Sequence, residues 1–379
     1  MNTTSLPPKA PMTNGTLASV LVNGEADVPS SPAPISHSLQ EVCALLHAQV
    51  ASFLSAAPED DVTRKTQEQA RISMRVIEKA LDEYEFESLS LSYNGGKDCL
   101  VLLVLYLAVI HIHFTQPKNR RKEFPKSIPS IYAKPPDPFP AVSDFVDYSA
   151  RLYHLDLTHI STNPGPDKRQ KSHSNPPGPP LPVDSLGPDG GGGGDLSNNG
   201  KKTNANNTNH TNSYQKTLDK PIITFRDAFA LYLSSNPHIK AIFVGTRRTD
   251  PHGSHLTHFD PTDHNWPPFM RIHPVIDWHL SEIWCFLRSP HLRDIGSCSN
   301  GCSGASEGGG AAEPGTTICT ATTAPLRYCE VYDAGYTSLG GVNDTVRNPK
   351  LRYTDEHGEE RYKPAYEMTA DDKERLGRE

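Results

Sequence analysis

The chain is poor in the residues that build a core. Of its 379 residues only 36% are hydrophobic and 8% aromatic, with 3 Trp and 5 Met. That poverty excludes packing of the whole length, and 34 Pro, roughly twice the average usage of about 5%, point the same way. Positive charge is not in excess either: the formal net charge is -7, which argues against a protein that coats nucleic acid. A local cluster of donors can still hold an anion on an acidic chain. No long apolar run is present. The longest, Leu100–Ile110, falls far short of the roughly 20 residues a spanning helix needs, so no membrane partner is expected. Residues 1–38 hold one Lys, no Arg and two acids, which fits neither a secretory signal nor an Arg-rich presequence. The 7 cysteines, an odd number without regular spacing, suggest reduced thiols and a cytoplasmic protein rather than a disulfide framework.

Composition marks three tracts with almost no large apolar residues. They are residues 1–36, residues 163–216 with Pro176-Pro177-Gly178-Pro179-Pro180 and the run Gly190–Gly194, and residues 296–325, rich in Gly, Ser, Ala and Thr. Such tracts cannot offset the entropy of ordering and are expected to be disordered. The latter two read as loop insertions, which cost little because closure entropy grows only logarithmically with length. The organisation expected is a disordered residues 1–36 followed by one domain over residues 37–379, with insertions at residues 163–216 and 296–325.

Between these tracts strand and helix patterns alternate. Helical spacing runs over Ser36–Leu54, Thr63–Tyr84, Cys99–His111, Pro140–Tyr153, Phe225–Ser234 and Leu280–Leu287. Strands are predicted at Ser88–Tyr93, Pro129–Ala133, Tyr153–Thr158, Ile239–Val244 and Met270–Val275. Alternation of this kind gives an α/β fold: a mostly parallel twisted sheet with helices on both faces.

The segment with the most chemistry joins the first strand to the apolar helix: Ser92-Tyr93-Asn94-Gly95-Gly96-Lys97-Asp98. Two glycines allow close backbone approach, a helix N-terminus adds partial positive charge, and Lys97 adds a full one. Asp98 can cap the helix or help hold Mg²⁺. The spacing matches neither the Walker loop nor the dinucleotide fingerprint. A Gly-rich strand-to-helix turn with Asp as cap is the lesser alternative on spacing alone.

Ser92–Cys99 resembles the pyrophosphate-binding loop of the ATP pyrophosphatase superfamily. Three further stretches resemble one branch of it, the eukaryotic FAD synthetases (FMN adenylyltransferases) related to PAPS reductase. They are Gly245–Pro251, Asp263–Trp266 with Met270–Pro274, and Tyr332–Gly341. The resemblance runs from about Glu68 to the C-terminus, and four motifs in order make it specific. It implies an adenine nucleotide alpha hydrolase-like, Rossmann-like sheet and the reaction ATP + FMN → FAD + pyrophosphate. Mg²⁺ would be carried mainly by the ATP phosphates, with no metal held by the protein alone, and the enzyme is expected to be a monomer without nucleic-acid partners.

The same resemblance implies roles for residues. Ser92, Asn94, Gly95, Gly96, Lys97 and Asp98 would hold the ATP phosphates, Ile131 and Tyr132 would lie beside adenine, and Gly245 near the nucleotide. Asp250, Asp263, His264, Asn265, Trp266 and Arg271 would face the flavin. Arg375 and Arg378, a terminal Arg-x-x-Arg, would reach the flavin phosphate, a task that suits a forked guanidinium. Catalytic weight would fall on Asn94, Asp98, Asp250, Arg375 and Arg378. His264 and Asn265 depart from the small or acidic residues frequent in the family. Two other readings stay open. One is a PAPS reductase-like sulfonucleotide enzyme, disfavoured because no cysteine follows Cys329. The other is a catalytically inactive nucleotide-binding protein, disfavoured by the intact Gly95-Gly96-Lys97-Asp98. His252, His255 and His258, three apart on a Pro/Gly loop, do not share a face and are not read as a metal site.

Overall fold

The structure is a computed structural model that describes residues 37–119, 122–163, 223–297 and 324–378. The expectations for residues 1–36, 164–216 and 298–323 lie outside the described residues. The first helices are α1 (Leu39–Ser55) and α2 (Asp61–Glu83). A capping box between Ser38 and Glu41 starts α1, and the Asp60 carboxylate accepts from Thr63 N–H to start α2. Each cap satisfies donors that the first turn leaves orphaned. Then follow β1 (Leu89–Ser92), α3 (Lys97–Thr115), β2 (Ile128–Lys134), α4 (Pro140–Leu152) and β3 (Leu155–Ser161). After the second tract come α5 (Phe225–Ser235), β4 (Ala241–Phe243), β5 (Phe259–Pro261), β6 (Met270–Ile272) and α6 (Leu280–Leu287).

The six strands order as β3-β2-β1-β4-β6-β5. All neighbours are parallel except the β5–β6 pair. The antiparallel β5 is absent from the pattern reading, because three residues, the last of them Pro261, carry no period to detect. Side chains alternate across the sheet as strand geometry requires. Leu89, Leu91, Ala241 and Phe243 enter the large core under α1, α2, α3 and α6. Ile131 and Ile242 enter a smaller cluster with Phe229 and Tyr232 of α5. Helices therefore cover both faces, and α5 is the cover of the second face among the described residues.

By length and composition α3 could cross a bilayer, but two thirds of its apolar window is buried inside the fold. Its run from Leu100 to Ile110 is buried at every position, because α1 and α2 cover it on one side and the sheet on the other. An all-round apolar helix is what a doubly covered position selects.

Beyond the third tract, regular structure is sparse. A hairpin of β7 (Arg352–Thr354) and β8 (Glu360–Tyr362) and several single 3₁₀ turns lead to a seven-residue 3₁₀ run, Asp371–Gly377. Asn348, fully buried, holds this tail: its Nδ2 donates to the carbonyls of Lys373 (2.8 Å) and Glu374 (3.2 Å) and to Thr337 Oγ1 (2.9 Å).

Each internal tract is closed at its base by an antiparallel bridge, Asn163 with Ile223 and Arg293 with Pro325. Chain ends already paired need no span between them. Replacing residues 165–221 with a short Gly/Ser linker is therefore expected to keep the transfer rate within a few-fold and the protein soluble. Loss of soluble expression or of activity would show that the tract contributes to the fold or the site.

Candidate functional site

The chain crosses from one side of β1 to the other after β3, so the strand order reverses between β1 and β4. In open α/β sheets, ligands bind at such a point, outside the carboxyl ends of the strands. Two loops meet here, residues 93–96 after β1 and residues 244–250 after β4.

In the first loop Gly95 adopts φ +73°, the left-handed region, and a Cβ there would lie 2.8 Å from Val146 Cγ2. Asn94 Oδ1 accepts from Gly96 N–H at 2.9 Å. Gly96 is the N-cap of α3 and no side chain caps that helix, so the capping role considered for Asp98 is not the one observed. Lys97 N–H donates to Tyr332 Oη at 3.0 Å. Two of the loop's donors are thus already taken, and the cradle is narrower than the sequence suggests. Gly245 sits where a Cβ would meet Cys99 Sγ at 2.8 Å and Cys99 N at 3.0 Å. Only glycine lets the β4 loop touch the first turn of α3 this closely.

A buried charge network lies between the loops. Lys97, 2% exposed, directs Nζ to Asp98 Oδ2 at 2.9 Å and to Glu374 Oε1. Arg247, with no exposed surface, places Nε 2.8 Å from Asp98 Oδ1, Nη1 3.2 Å from Asp371 Oδ1, and Nη2 against Glu374 Oε2. Burial opposes the Lys97 charge, but the carboxylates of Asp98 and Glu374 outweigh it and hold the ammonium above its ordinary pKa. For Asp98 burial likewise opposes ionisation, and Arg247 and Lys97 outweigh it, holding the carboxyl below the usual range. Asp250 is raised instead, by burial and by the neighbouring Asp98 charge. One Asp250 oxygen accepts from Arg247 N–H at 2.9 Å and the other lies 3.7 Å from Arg375. Asp371 also accepts from Leu280 N–H at 2.7 Å and contacts His279 Nδ1 at 2.8 Å, which pins the tail to the start of α6.

Two adjoining pockets open at this point. One, of about 140 Å³, is lined by Asn94, Lys97, Asp98, Gly245, Asp250 and Arg375 among others. The second, of about 200 Å³, has walls from Tyr132, Ala133, Val142, Thr162 and Phe225. Asn94 and Leu339 line both. A larger cavity, about 390 Å³, lies among α1, α2 and α6 and shares no residue with either.

The structure brings Asn94, Gly96, Lys97, Asp98, Gly245, Asp250 and Arg375 together. Ser92 and Ile131 are register partners at the ends of β1 and β2. Arg378 lies against the pocket wall and does not line it: its Nη1 donates to the Leu339 carbonyl, its guanidinium packs against Gly340, and Asp344 lies 4.0 Å away. The stretch 263–266 is joined to this pocket by no direct bond. Trp266 is half-buried against Phe225 and Phe229 of α5. Asp263 is exposed with Arg271 at 3.8 Å, His264 is exposed, and the Asn265 carbonyl accepts from Arg226 at 3.4 Å. His258 Nδ1 meets the His273 carbonyl at 2.9 Å, while His252 and His255 are exposed. Among the described residues no three His, Cys, Asp or Glu side chains converge as metal ligands.

Three functional residues were not singled out from sequence: Glu374, Asp371 and Tyr332. The first two stand in an acidic, charged tail that reads as solvated surface. Arg247, adjacent to the exposed Arg248, reads the same way. Arg248 indeed pairs with Asp277 at 2.6 Å on the surface.

A model of the phosphoadenosine phosphosulfate reductase domain matches residues 199–295. A probable FAD synthase of Schizosaccharomyces pombe is 30% identical over 328 residues, covering 86% of this chain and 84% of the relative. The chain belongs to the FAD synthase family. The flavin adenine dinucleotide synthase of Saccharomyces cerevisiae is 25% identical, over 79% of this chain and 72% of that one. The Candida glabrata FMN adenylyltransferase, solved with FMN and the ATP analogue AMPCPP, superposes with a TM-score of 0.61 at 23% identity. It covers 90% of this chain and 97% of that one. At that identity the superposition establishes the α/β fold, with its mostly parallel sheet.

Proposed function

We propose that the two adjoining pockets are where this chain, an FMN adenylyltransferase, joins FMN to the adenylyl group of ATP and releases pyrophosphate. The observation that carries the assignment is the pairing of a cleft walled by Tyr132, Ala133, Val142 and Phe225 with a charged one, sharing Asn94 and Leu339. A planar base suits the first and a polyphosphate the second. Tyr132 and Ala133 flank adenine by apolar contact, while Ile131, buried under α5, supports the strand behind them. Ser92 and the turn Asn94-Gly95-Gly96-Lys97 hold the β- and γ-phosphates, and Gly245 keeps the opposite wall close. Asp250 faces the flavin side. Asp263, His264, Asn265, Trp266 and Arg271 form the outer flavin contact next to Phe225.

An FMN phosphate oxygen attacks the α-phosphorus in line, a new P–O bond forms, and the bond from the α-phosphorus to the bridging oxygen of the β-phosphate breaks. FMN is already anionic, so no protein nucleophile is required. Catalysis is positioning and neutralisation of charge. Arg375 lowers the repulsion between two anionic substrates, and Arg378 braces the wall at Leu339 and Gly340. Both Asp98 oxygens are engaged by Lys97 and Arg247, so Asp98 does not fit as a Mg²⁺ ligand. Asp250, with one oxygen free of a hydrogen-bond donor's N–H, fits better as a single carboxylate beside the phosphates. Mg²⁺ carried on ATP would supply charge neutralisation there.

Incubation of the purified chain with Mg-ATP and either FMN, riboflavin or sulfate tests the reading. Pyrophosphate release and FAD are expected with FMN only. Turnover with sulfate, or none with FMN, would overturn it.

A further inference from the structure

We infer that Glu374 is a positioning residue, whose buried carboxylate, held between Lys97 of the β1 loop and Arg247 of the β4 loop, sets Arg375 opposite Asp250 in the pocket. This rests on the reading that Arg375 meets the flavin phosphate.

The tail residues Asp371–Gly377 form a 3₁₀ run, and three residues per turn place every third side chain on one face. Asp371, Glu374 and Gly377 thus share one face, and Asp372 and Arg375 the next. The burial follows this division: Glu374 and Gly377 are the buried members of the run, while Arg375 is exposed. The first face is the anchor. Glu374 contacts both loop cations, and Asp371 contacts Arg247 and the start of α6. The Glu374 carbonyl is also fixed, by Thr337 Oγ1 and Asn348 Nδ2.

The choice of anchor matters. The apolar side chain of the run, Leu376, is left 45% exposed, although an apolar anchor would be cheaper to bury than a carboxylate. The tail is instead held by charge, at the two cations that flank the phosphate turn. Arg375 is the adjacent residue, so its place in the pocket is set within one residue of that anchor. Neutralising Glu374 should release Arg375 while Lys97 stays paired with Asp98, and Arg247 with Asp98 and Asp371.

The test uses the full-length chain as wild type, Glu374→Gln, Arg375→Ala and the double variant, with KM for FMN and ATP, and inhibition by riboflavin, which lacks the phosphate. Glu374→Gln is expected to raise the FMN KM about tenfold, the scale of one charged hydrogen bond. The ATP KM should change less than about twofold and riboflavin binding should be unchanged. In the Arg375→Ala background Glu374→Gln should have no further effect on FMN. Multiplying effects in the double variant, or equal weakening of FMN and riboflavin, would make Glu374 merely structural and overturn the inference. An unchanged FMN KM in Glu374→Gln, with Arg375→Ala impaired, would overturn it too. If Arg375→Ala itself leaves FMN unchanged, the reading of the tail arginine fails first. Should Glu374→Gln not fold, Glu374→Asp keeps the charge but is one methylene too short to reach both cations. A raised FMN KM is expected there, and an unchanged one overturns the inference.

Discussion

Replacing Asp98 with Asn is expected to slow AMP transfer by at least about a hundredfold, the scale for losing a positioned electrostatic group. Asp98 touches both Lys97, on the phosphate turn, and Arg247, on the β4 loop. Without its charge Lys97 is left to Glu374 and Arg247 to Glu374 and Asp371, and the loops lose the ion pairs through Asp98 that hold them at a fixed separation. Asn keeps the shape, so the protein should remain folded while the rate falls. Ala would unfold it more readily, because the shape and the polar atoms that Asn keeps are lost along with the charge. The pH dependence has a definite sign. The Asp98 carboxyl is held below its ordinary value of 3.8 in the folded chain. Its contribution to stability is therefore complete above that value and is lost as pH falls through the lower, folded one. Thermal unfolding of Asp98→Asn should accordingly vary less with pH in the acid range than that of the wild type. Near-wild-type FAD formation by the Asn variant would remove Asp98 from the mechanism.

Arg375→Ala is expected to weaken FMN by roughly ten- to a hundredfold, since a charged hydrogen bond is worth about 1.5–3 kcal/mol. A site that prefers FMN to riboflavin must offset the desolvation of one phosphate, and that requires cationic donors. Arg375 lines the pocket, whereas Arg378 donates to Leu339. The two arginines should therefore separate in experiment. Arg378→Ala should act through the 332–341 segment it holds, and its effect on FMN should be smaller. Lys at position 375 should restore binding only in part, because it offers a point charge in place of a fork. Fluorescence quenching of FMN and calorimetry with ATP check this, and equal FMN affinity in wild type and Arg375→Ala would show the phosphate to be held elsewhere.

Most of the sheet was legible before any coordinates. Strand β1, the glycine turn and α3 follow one another within residues 89–115, and their signals are local: an apolar alternation, two glycines, then a continuous apolar helix. The same holds for α2, α4 and α6, whose apolar stripes repeat at helical spacing. What failed was short or aperiodic. Strand β5 has three residues, too few for a period, and the turns after residue 324 have none.

By itself the sequence determined the alternating α/β order, the glycine-rich strand-to-helix turn at Asn94–Asp98 and, through four motifs in order, the family. These are properties of neighbouring residues, set by backbone preference and by which side chains must leave water. The tertiary structure alone decided that Arg247 is buried, that Asp98 pairs with two cations and is not a helix cap, and that Glu374 reaches Lys97 across 277 residues. A charge carries no period, and its partner is whatever the fold brings within a few ångströms. In water such a pair contributes little, and in the low dielectric between the β1 and β4 loops it determines where the tail sits.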